Sequence, residues 1–338
     1  MEILINYNLK KLNTLAIEHY ASYFVNFNNE NDIEDILLFL KEHSISRKMF
    51  LGSGSNLLFS KNYDGLIIKN GIKGIRTIFE NEQYAIVEVG AGEIWDDFVK
   101  YTIQQNLFGL ENLAMIPGTV GAAPVQNIGA YGTEQSNCLF EIFGYNFTTQ
   151  KFENYTFDEC KFGYRDSIFK SKLKDQFLII KVRYKLNKSF IPNIAYKDLR
   201  NYFEKNQIEL TAENIYNAVC EIRDKKLPNP RQIPNAGSFF KNPIINKTQL
   251  NELLARFPDL PYFEMDAENF KLPAAYLIEK AGWKGKSIGQ AGIFANHSLI
   301  LINLGDANSK EILNLAFNII ESIEILFNIH LEFEVNII

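Results

Sequence analysis

Three cysteines in 338 residues leave this chain almost no covalent staple. Cys138, Cys160 and Cys220 are odd in number and far apart, so neither a disulfide framework nor a Cys-x-x-Cys centre is available. The four histidines, His19, His43, His297 and His330, lack metal-ligand spacing, and no bound metal is expected. No apolar run approaches the roughly 18 residues of a spanning helix, which argues against membrane insertion. The start, Met1-Glu2-Ile3-Leu4-Ile5-Asn6, has neither the basic nor the long apolar stretch of a signal peptide. With unpaired thiols, these absences point to a reducing, cytoplasmic setting. Basic charge is not in excess: the net charge is −5, so nucleic acid is not an expected partner. A local basic pocket for an anionic ligand remains compatible with that total.

What is present is the composition of a globular protein, 46% hydrophobic and 22% charged, with 27 Phe and 16 Tyr to fill cores. The length predicts two or three domains. Apolar spacing predicts helices over 32–43, from about 95 to 102, and over 211–223, 248–257, 273–281 and 309–327. Strands are predicted at 48–51, within 65–90 and 138–190, at 299–302 and, from strict alternation, over His330–Val335. Helices and strands are mixed without regular alternation, which gives an α+β class.

The most informative stretch is Ile116-Pro-Gly-Thr-Val-Gly-Ala-Ala-Pro-Val-Gln-Asn-Ile-Gly-Ala-Tyr-Gly132. Its glycines and prolines disfavour both a helix and a plain strand. Glycine lets backbone N–H groups approach a flat or polyanionic ligand closely. Gly52-Ser-Gly-Ser-Asn56 follows a strand and can form an anion-binding nest, while it and Gly90-Ala-Gly92, each taken alone, read slightly better as turns than as ligand cradles. Neither carries the third glycine of a dinucleotide fingerprint, since Leu57 and Trp95 stand there. Three glycine-rich elements in one region favour a ligand cradle of another kind.

Further along, Arg165 lies in Phe162-Gly-Tyr-Arg-Asp-Ser167, where a guanidinium can clamp a carboxylate or pair with Asp166. Ser238 sits in Asn235-Ala-Gly-Ser-Phe-Phe-Lys-Asn242, on tight backbone beside two phenylalanines. No nucleophile elbow surrounds it, so it suits proton donation better than attack. Arg223, Lys225, Lys226 and Arg231 concentrate positive charge around the end of a helix, for a diphosphate or for the helix dipole. Glu332 and Glu334 alternate with apolar residues near the C-terminus.

These motifs together resemble the UDP-N-acetylenolpyruvoylglucosamine reductase family. The resemblance is carried by Asn13-Thr-Leu-Ala16, Gly52–Asn56, Gly109-Leu-Glu-Asn-Leu-Ala114, the 116–132 segment, Tyr164-Arg-Asp-Ser167, Asn235–Pro243, Ala281-Gly-Trp-Lys-Gly285 and Leu331-Glu-x-Glu-Val335. It implies an FAD-binding region of the vanillyl-alcohol-oxidase-like type and a C-terminal α/β substrate domain. The corresponding bounds are 1–70 for a first FAD subdomain, with the C-terminal strand 329–338 packing back on it, then 71–215 for a second, and 226–328 for the substrate domain.

The resemblance also implies chemistry. NADPH reduces bound FAD, and hydride then passes to the enol ether of UDP-N-acetylglucosamine enolpyruvate. Arg165 and Glu334 bracket the substrate carboxylate and Ser238 protonates the α-carbon. Glu334 fits only if it is protonated or bridged by water, which implies a raised pKa. FAD contacts are expected from Gly52, Ser53, Gly54, Ser55, Asn56, Ile116, Pro117, Gly118, Gly121, Ala122, Gly129 and Tyr131. Substrate contacts are expected from Tyr196, on the family's substrate-closing loop, and from Arg223, Lys226 and Asn242. A monomer is expected. A flavin oxidase of the same fold class and a non-catalytic UDP-sugar-binding relative are the alternatives.

Overall fold

Helix positions follow the apolar spacing closely. Ile33 and Ile36 bury one face of α1 (Asp32–Glu42), and Trp95, Phe98, Val99 and Thr102 bury one face of α2 (Trp95–Gln104). Both helices belong to the first of two compact units in the computed structural model, which describes residues 1–338. That unit comprises Met1–Tyr7, Ala21–Ser53 and Asp64–Lys225.

Its longer strands form two sheets. The first contains β1 (Ile3–Asn8), β2 (Tyr20–Phe27), β3 (Lys48–Leu51) and β4 (Tyr63–Asn70), in the order β1-β2-β4-β3. Strands β3 and β4 run parallel, with Lys48 opposite Leu66. The second sheet contains β5 (Ile75–Glu80), β6 (Tyr84–Gly90), β7 (Leu139–Asn146), β8 (Lys151–Thr156) and β9 (Phe177–Asn187), in the order β8-β7-β9-β6-β5 with antiparallel neighbours. One core joins the two sheets and α1 through Val25, Phe27, Ile36, Leu66, Ile68 and Ile180. Another packs α2 onto Val87, Val89, Val182 and Tyr184.

Two helices complete the unit. The second of them, α4 (Ala212–Lys226), has the expected apolar face of Ile215, Ala218, Val219 and Ile222 and runs to the approach of Pro228. It packs with α3 (Lys197–Asn206), which buries only Leu199 and Phe203.

The second unit comprises Asn8–Tyr20, Gly54–Tyr63 and Lys226–Ile338. Its main sheet contains β10 (Asn235–Ser238), β13 (Ala291–Ile293) and β14 (Ile300–Asn303), with β14 between the other two. A smaller ladder pairs β11 (Ile244–Asn246) with β12 (Asn269–Lys271). Helices α5 (Lys247–Arg256), α6 (Ala274–Lys280) and α7 (Ser309–Phe327) pack around one core with Leu15, Ile17 and Leu58. Helix α7 starts at a capping box formed by Asn308 and Glu311.

The structure corrects one expectation. His330–Val335 alternates in burial, with Leu331 and Val335 inside, but forms no ladder. One isolated bridge joins Phe333 to Phe240, and strand structure begins only at Asn336–Ile337, parallel to Leu57–Leu58. The segment is held by the packing of Phe333 on Phe239 and Phe240 and by backbone bonds from Lys241 N to Glu332 O and Glu334 N to Phe239 O. An extended chain alternates with or without a paired neighbour.

Candidate active site

Residues 116–132 form a chain of turns, with Thr119 in an isolated bridge to Ile94 and Gly129–Ala130 paired to Thr133–Glu134. The first unit lays this segment along the turn that follows β6. Gly121 N donates to Ala91 O at 2.9 Å, Val120 N to Glu93 O at 2.8 Å and Trp95 N to Gly118 O at 3.1 Å. Gly52 abuts the same segment: a Cβ there would lie 2.7 Å from Thr119 Oγ1 and 3.2 Å from Ala122 Cβ. The glycine-rich loops are therefore neighbours. The backbone amides of Gly52, Ser53, Gly118 and Thr119 donate to no acceptor within the protein. Clustered N–H groups of this kind form a nest for an anion such as a diphosphate.

The far end of the segment holds the other candidates of this unit. Arg165 occupies a tight hairpin closed by mutual Gly163–Asp166 backbone bonds, with its own φ at 55°. Its Nη2 donates to Gly129 O at 2.7 Å, and its guanidinium lies 5.4 Å from the centre of the Tyr164 ring. The Gly129 carbonyl of the glycine segment thus helps to orient the guanidinium. Tyr131 meets the ring of Tyr196 edge-on at 5.2 Å. Tyr196 is the residue before α3 and is 41% exposed. Asn112 Nδ2 donates to the carbonyls of both Tyr131 and Asn193, each at 2.8 Å, which ties the Tyr196 loop to the segment.

Arg223, on α4, lies close enough to the Tyr131 hydroxyl to interact with it electrostatically. Its Nε is buried without a partner, and no carboxylate pairs with it. Burial lowers its pKa, with the nearby Tyr131 oxygen opposing; burial also pushes the Tyr131 phenol up to about 12. A guanidinium so placed stays charged near neutral pH and attracts an anion.

The second unit holds Gly54, Ser55, Asn56, Lys226, Ser238, Asn242 and Glu334. Gly54 has φ +66°, and any side chain there would run into the Leu12 carbonyl. Its own carbonyl accepts from Thr14 N at 3.1 Å, so the loop is built onto the Asn13-Thr14 motif. Ser238 ends β10 opposite Ile300, after an irregularity centred on Gly237 with φ +73°. Buried Asn235 makes that turn by accepting from Gly237 N at 2.9 Å and donating to the Pro228 and Ile233 carbonyls. The Ser238 hydroxyl itself has no partner in the chain. Glu334 lies alongside: its N–H donates to Phe239 O at 2.9 Å and its carbonyl accepts from Asn56 Nδ2 at 3.2 Å. Asn242 spends its side-chain oxygen on Ala274 N, at the start of α6, leaving its NH2 group as the donor. Lys226 is the last residue of α4.

The profile described as "UDP-N-acetylenolpyruvoylglucosamine reductase, C-terminal domain" matches residues 229–338. A second, described as "FAD binding domain", matches residues 21–143. The chain is 44% identical to the UDP-N-acetylenolpyruvoylglucosamine reductase of Flavobacterium johnsoniae, over 100% of both chains. This chain belongs to the UDP-N-acetylenolpyruvoylglucosamine reductase family. It is also 45% identical to the reductase of Buchnera aphidicola over 86% of each chain. The solved reductase of Thermus caldophilus covers 99% of this chain, and 98% of its own is covered, with a TM-score of 0.66 at 23% identity, a likeness of fold.

For a member of this reductase family the residues present suit FAD. The unbonded amides of Gly52, Ser53, Gly118 and Thr119 match its diphosphate, and the matched FAD-binding region contains all four. Motif reading missed Asp96 and Tyr216 and gave Asn112 no role, although Asp96, held by Tyr216, binds Met115 at the entry to the glycine segment and Asn112 binds Tyr131 within it. They share no spacing: only the folded chain brings Tyr216 to Asp96, 120 residues away.

Proposed function

We propose that this chain is the FAD-dependent reductase that uses NADPH to convert UDP-N-acetylglucosamine enolpyruvate to UDP-N-acetylmuramate, a peptidoglycan precursor. The single observation that carries this reading is the 44% identity to a named reductase over both full chains. Gly52, Ser53, Ile116, Pro117, Gly118, Gly121, Ala122, Gly129 and Tyr131 would hold FAD, which would supply hydride transfer from NADPH to the enol ether.

The protein's own task is to manage the charge and the proton. Negative charge develops on the α-carbon and spreads to the substrate carboxylate as the β-carbon is reduced. Arg165 stabilises that charge, and its hydrogen bond to the Gly129 carbonyl supports an orientation set before substrate arrives. Ser238 delivers the proton to the α-carbon; its unpartnered hydroxyl at a strand end supports that role. Glu334 assists in a protonated or water-bridged form, since a bare carboxylate would repel the developing charge. Lys226 and Arg223 neutralise the UDP diphosphate, Asn242 contributes its NH2 group, and Tyr196 closes over the sugar nucleotide. We place the enzyme in the cytoplasm, as a monomer; no helix is long and apolar enough to cross a membrane.

The test is turnover. Purified protein given FAD, NADPH and the enolpyruvyl sugar nucleotide should oxidise NADPH in step with UDP-N-acetylmuramate formation. NADPH consumption that does not depend on the sugar nucleotide, or FAD reduction with molecular oxygen as the only acceptor, would favour the oxidase reading.

A further inference from the structure

Met115 enters the glycine segment in the left-handed region, with φ +56°. A residue with a Cβ rarely stays there without external support. The support is visible. Met115 N donates to Asp96 Oδ1 at 2.6 Å. The same carboxylate accepts from the Tyr216 hydroxyl, 3.1 and 3.0 Å from its two oxygens, and from Lys100 Nζ at 2.8 Å. Its neighbour Trp95 grips the chain on either side, through Nε1 to Leu113 O at 2.9 Å and its backbone N to Gly118 O at 3.1 Å. Two consecutive residues of α2 therefore fix residues 113, 115 and 118, immediately before the unbonded amides of Gly118 and Thr119. Tyr216 projects from α4, whose apolar face packs on Ala114.

We propose that Asp96 is a positioning residue for the flavin: its carboxylate, steadied by Tyr216, holds Met115 in the left-handed conformation and so aims the Gly118 and Thr119 amides at the cofactor. The inference rests on the FAD reading. Asp96 touches neither cofactor nor substrate in this account; it acts through the backbone of residue 115. Simple stabilisation of the α2 N-terminus by negative charge is the competing role. Asp97, exposed in the same turn, would share that role but reaches no segment amide.

The experiment pairs two readouts on the full chain: FAD affinity by titration of the apoprotein, and hydrogen exchange at the Met115 amide without FAD. Asp96→Ala should weaken FAD binding roughly ten- to hundredfold, the size of a lost charge-assisted hydrogen bond, and expose the Met115 amide. Asp96→Asn, whose amide oxygen still accepts, should recover most of both effects. Asp97→Ala should change neither. The proposal is overturned if Asp96→Ala binds FAD within about twofold of the parent, if the Met115 amide stays protected, or if Asp97→Ala behaves like Asp96→Ala. Should Asp96→Ala not fold, Tyr216→Phe decides: faster Met115 exchange with weaker FAD binding supports the proposal, and no change in either overturns it. A parent protein that takes up no FAD would instead strike the flavin reading, with Met115 exchange still reporting on Asp96.

Discussion

Replacing Ser238 by Ala separates the two halves of the proposed reaction. The structure says what the change should not do. The hydroxyl has no partner, and the β10 pairing opposite Ile300 runs through the backbone. Stability should therefore move by less than about 0.5 kcal/mol, as for substitutions away from buried networks. The proton step should suffer far more. A positioned general acid contributes roughly 10²- to 10⁴-fold, which is about 2.7–5.4 kcal/mol of barrier. Flavin reduction by NADPH needs no proton from Ser238 and should keep its rate. Anaerobic stopped-flow absorbance reads both halves: bleaching on addition of NADPH, then recovery on addition of the enolpyruvyl sugar nucleotide. Normal bleaching with recovery slowed by at least about 100-fold is expected. Recovery within a few-fold of the parent would refute Ser238 as the donor. Loss of both phases with an unchanged melting temperature would refute the separation of roles.

Three further expectations follow from packing and charge. Asn235→Ala removes the three side-chain bonds that shape the Gly237 turn and should cost about 2–3 kcal/mol, read by urea unfolding; unchanged stability would mean that the turn is held otherwise. Gly54→Ala combines a positive φ with a backbone clash at Leu12 and should lower stability by more than about 2 kcal/mol and weaken FAD binding; a variant that melts with the parent would refute the steric argument. Glu88 is 3% exposed; burial pushes its pKa up, but hydrogen bonds and ion pairs from Arg183 and Arg76 outweigh this and hold it below the ordinary value of 4.5. Its stabilisation is complete above that value and is lost as pH falls through the lower folded-state pKa. Urea midpoints between about pH 6 and pH 3 should fall less steeply for Glu88→Gln than for the parent, and equal slopes would remove Glu88 from the acid response.

Much of the helical frame was legible in the sequence because amphipathic spacing and caps act locally. Helix α7 shows this: Ile312, Leu315, Ala316, Ile319 and Ile323 mark its buried face, and Asn308 marks its start. Helix α3 was not, since only Leu199 and Phe203 of its ten residues are buried. Leu331–Val335 shows the opposite failure, because alternation reports extended backbone and not whether a neighbour supplies a ladder. The motifs of Arg165, Ser238 and Glu334 were readable as residues, but the features orienting them were not. The Gly129 carbonyl on Arg165 and the Asp96–Met115–Tyr216 cluster are contacts across long loops, without periodicity or spacing to announce them.

The central claim is a flavin that takes electrons from NADPH and gives them to an enolpyruvyl sugar nucleotide. An anaerobic visible spectrum of the FAD-loaded protein tests it most directly. NADPH added alone should bleach the flavin band, and UDP-N-acetylglucosamine enolpyruvate added next should restore it with one equivalent of UDP-N-acetylmuramate formed. A flavin that NADPH cannot bleach, or that stays bleached until air is admitted, would contradict the account.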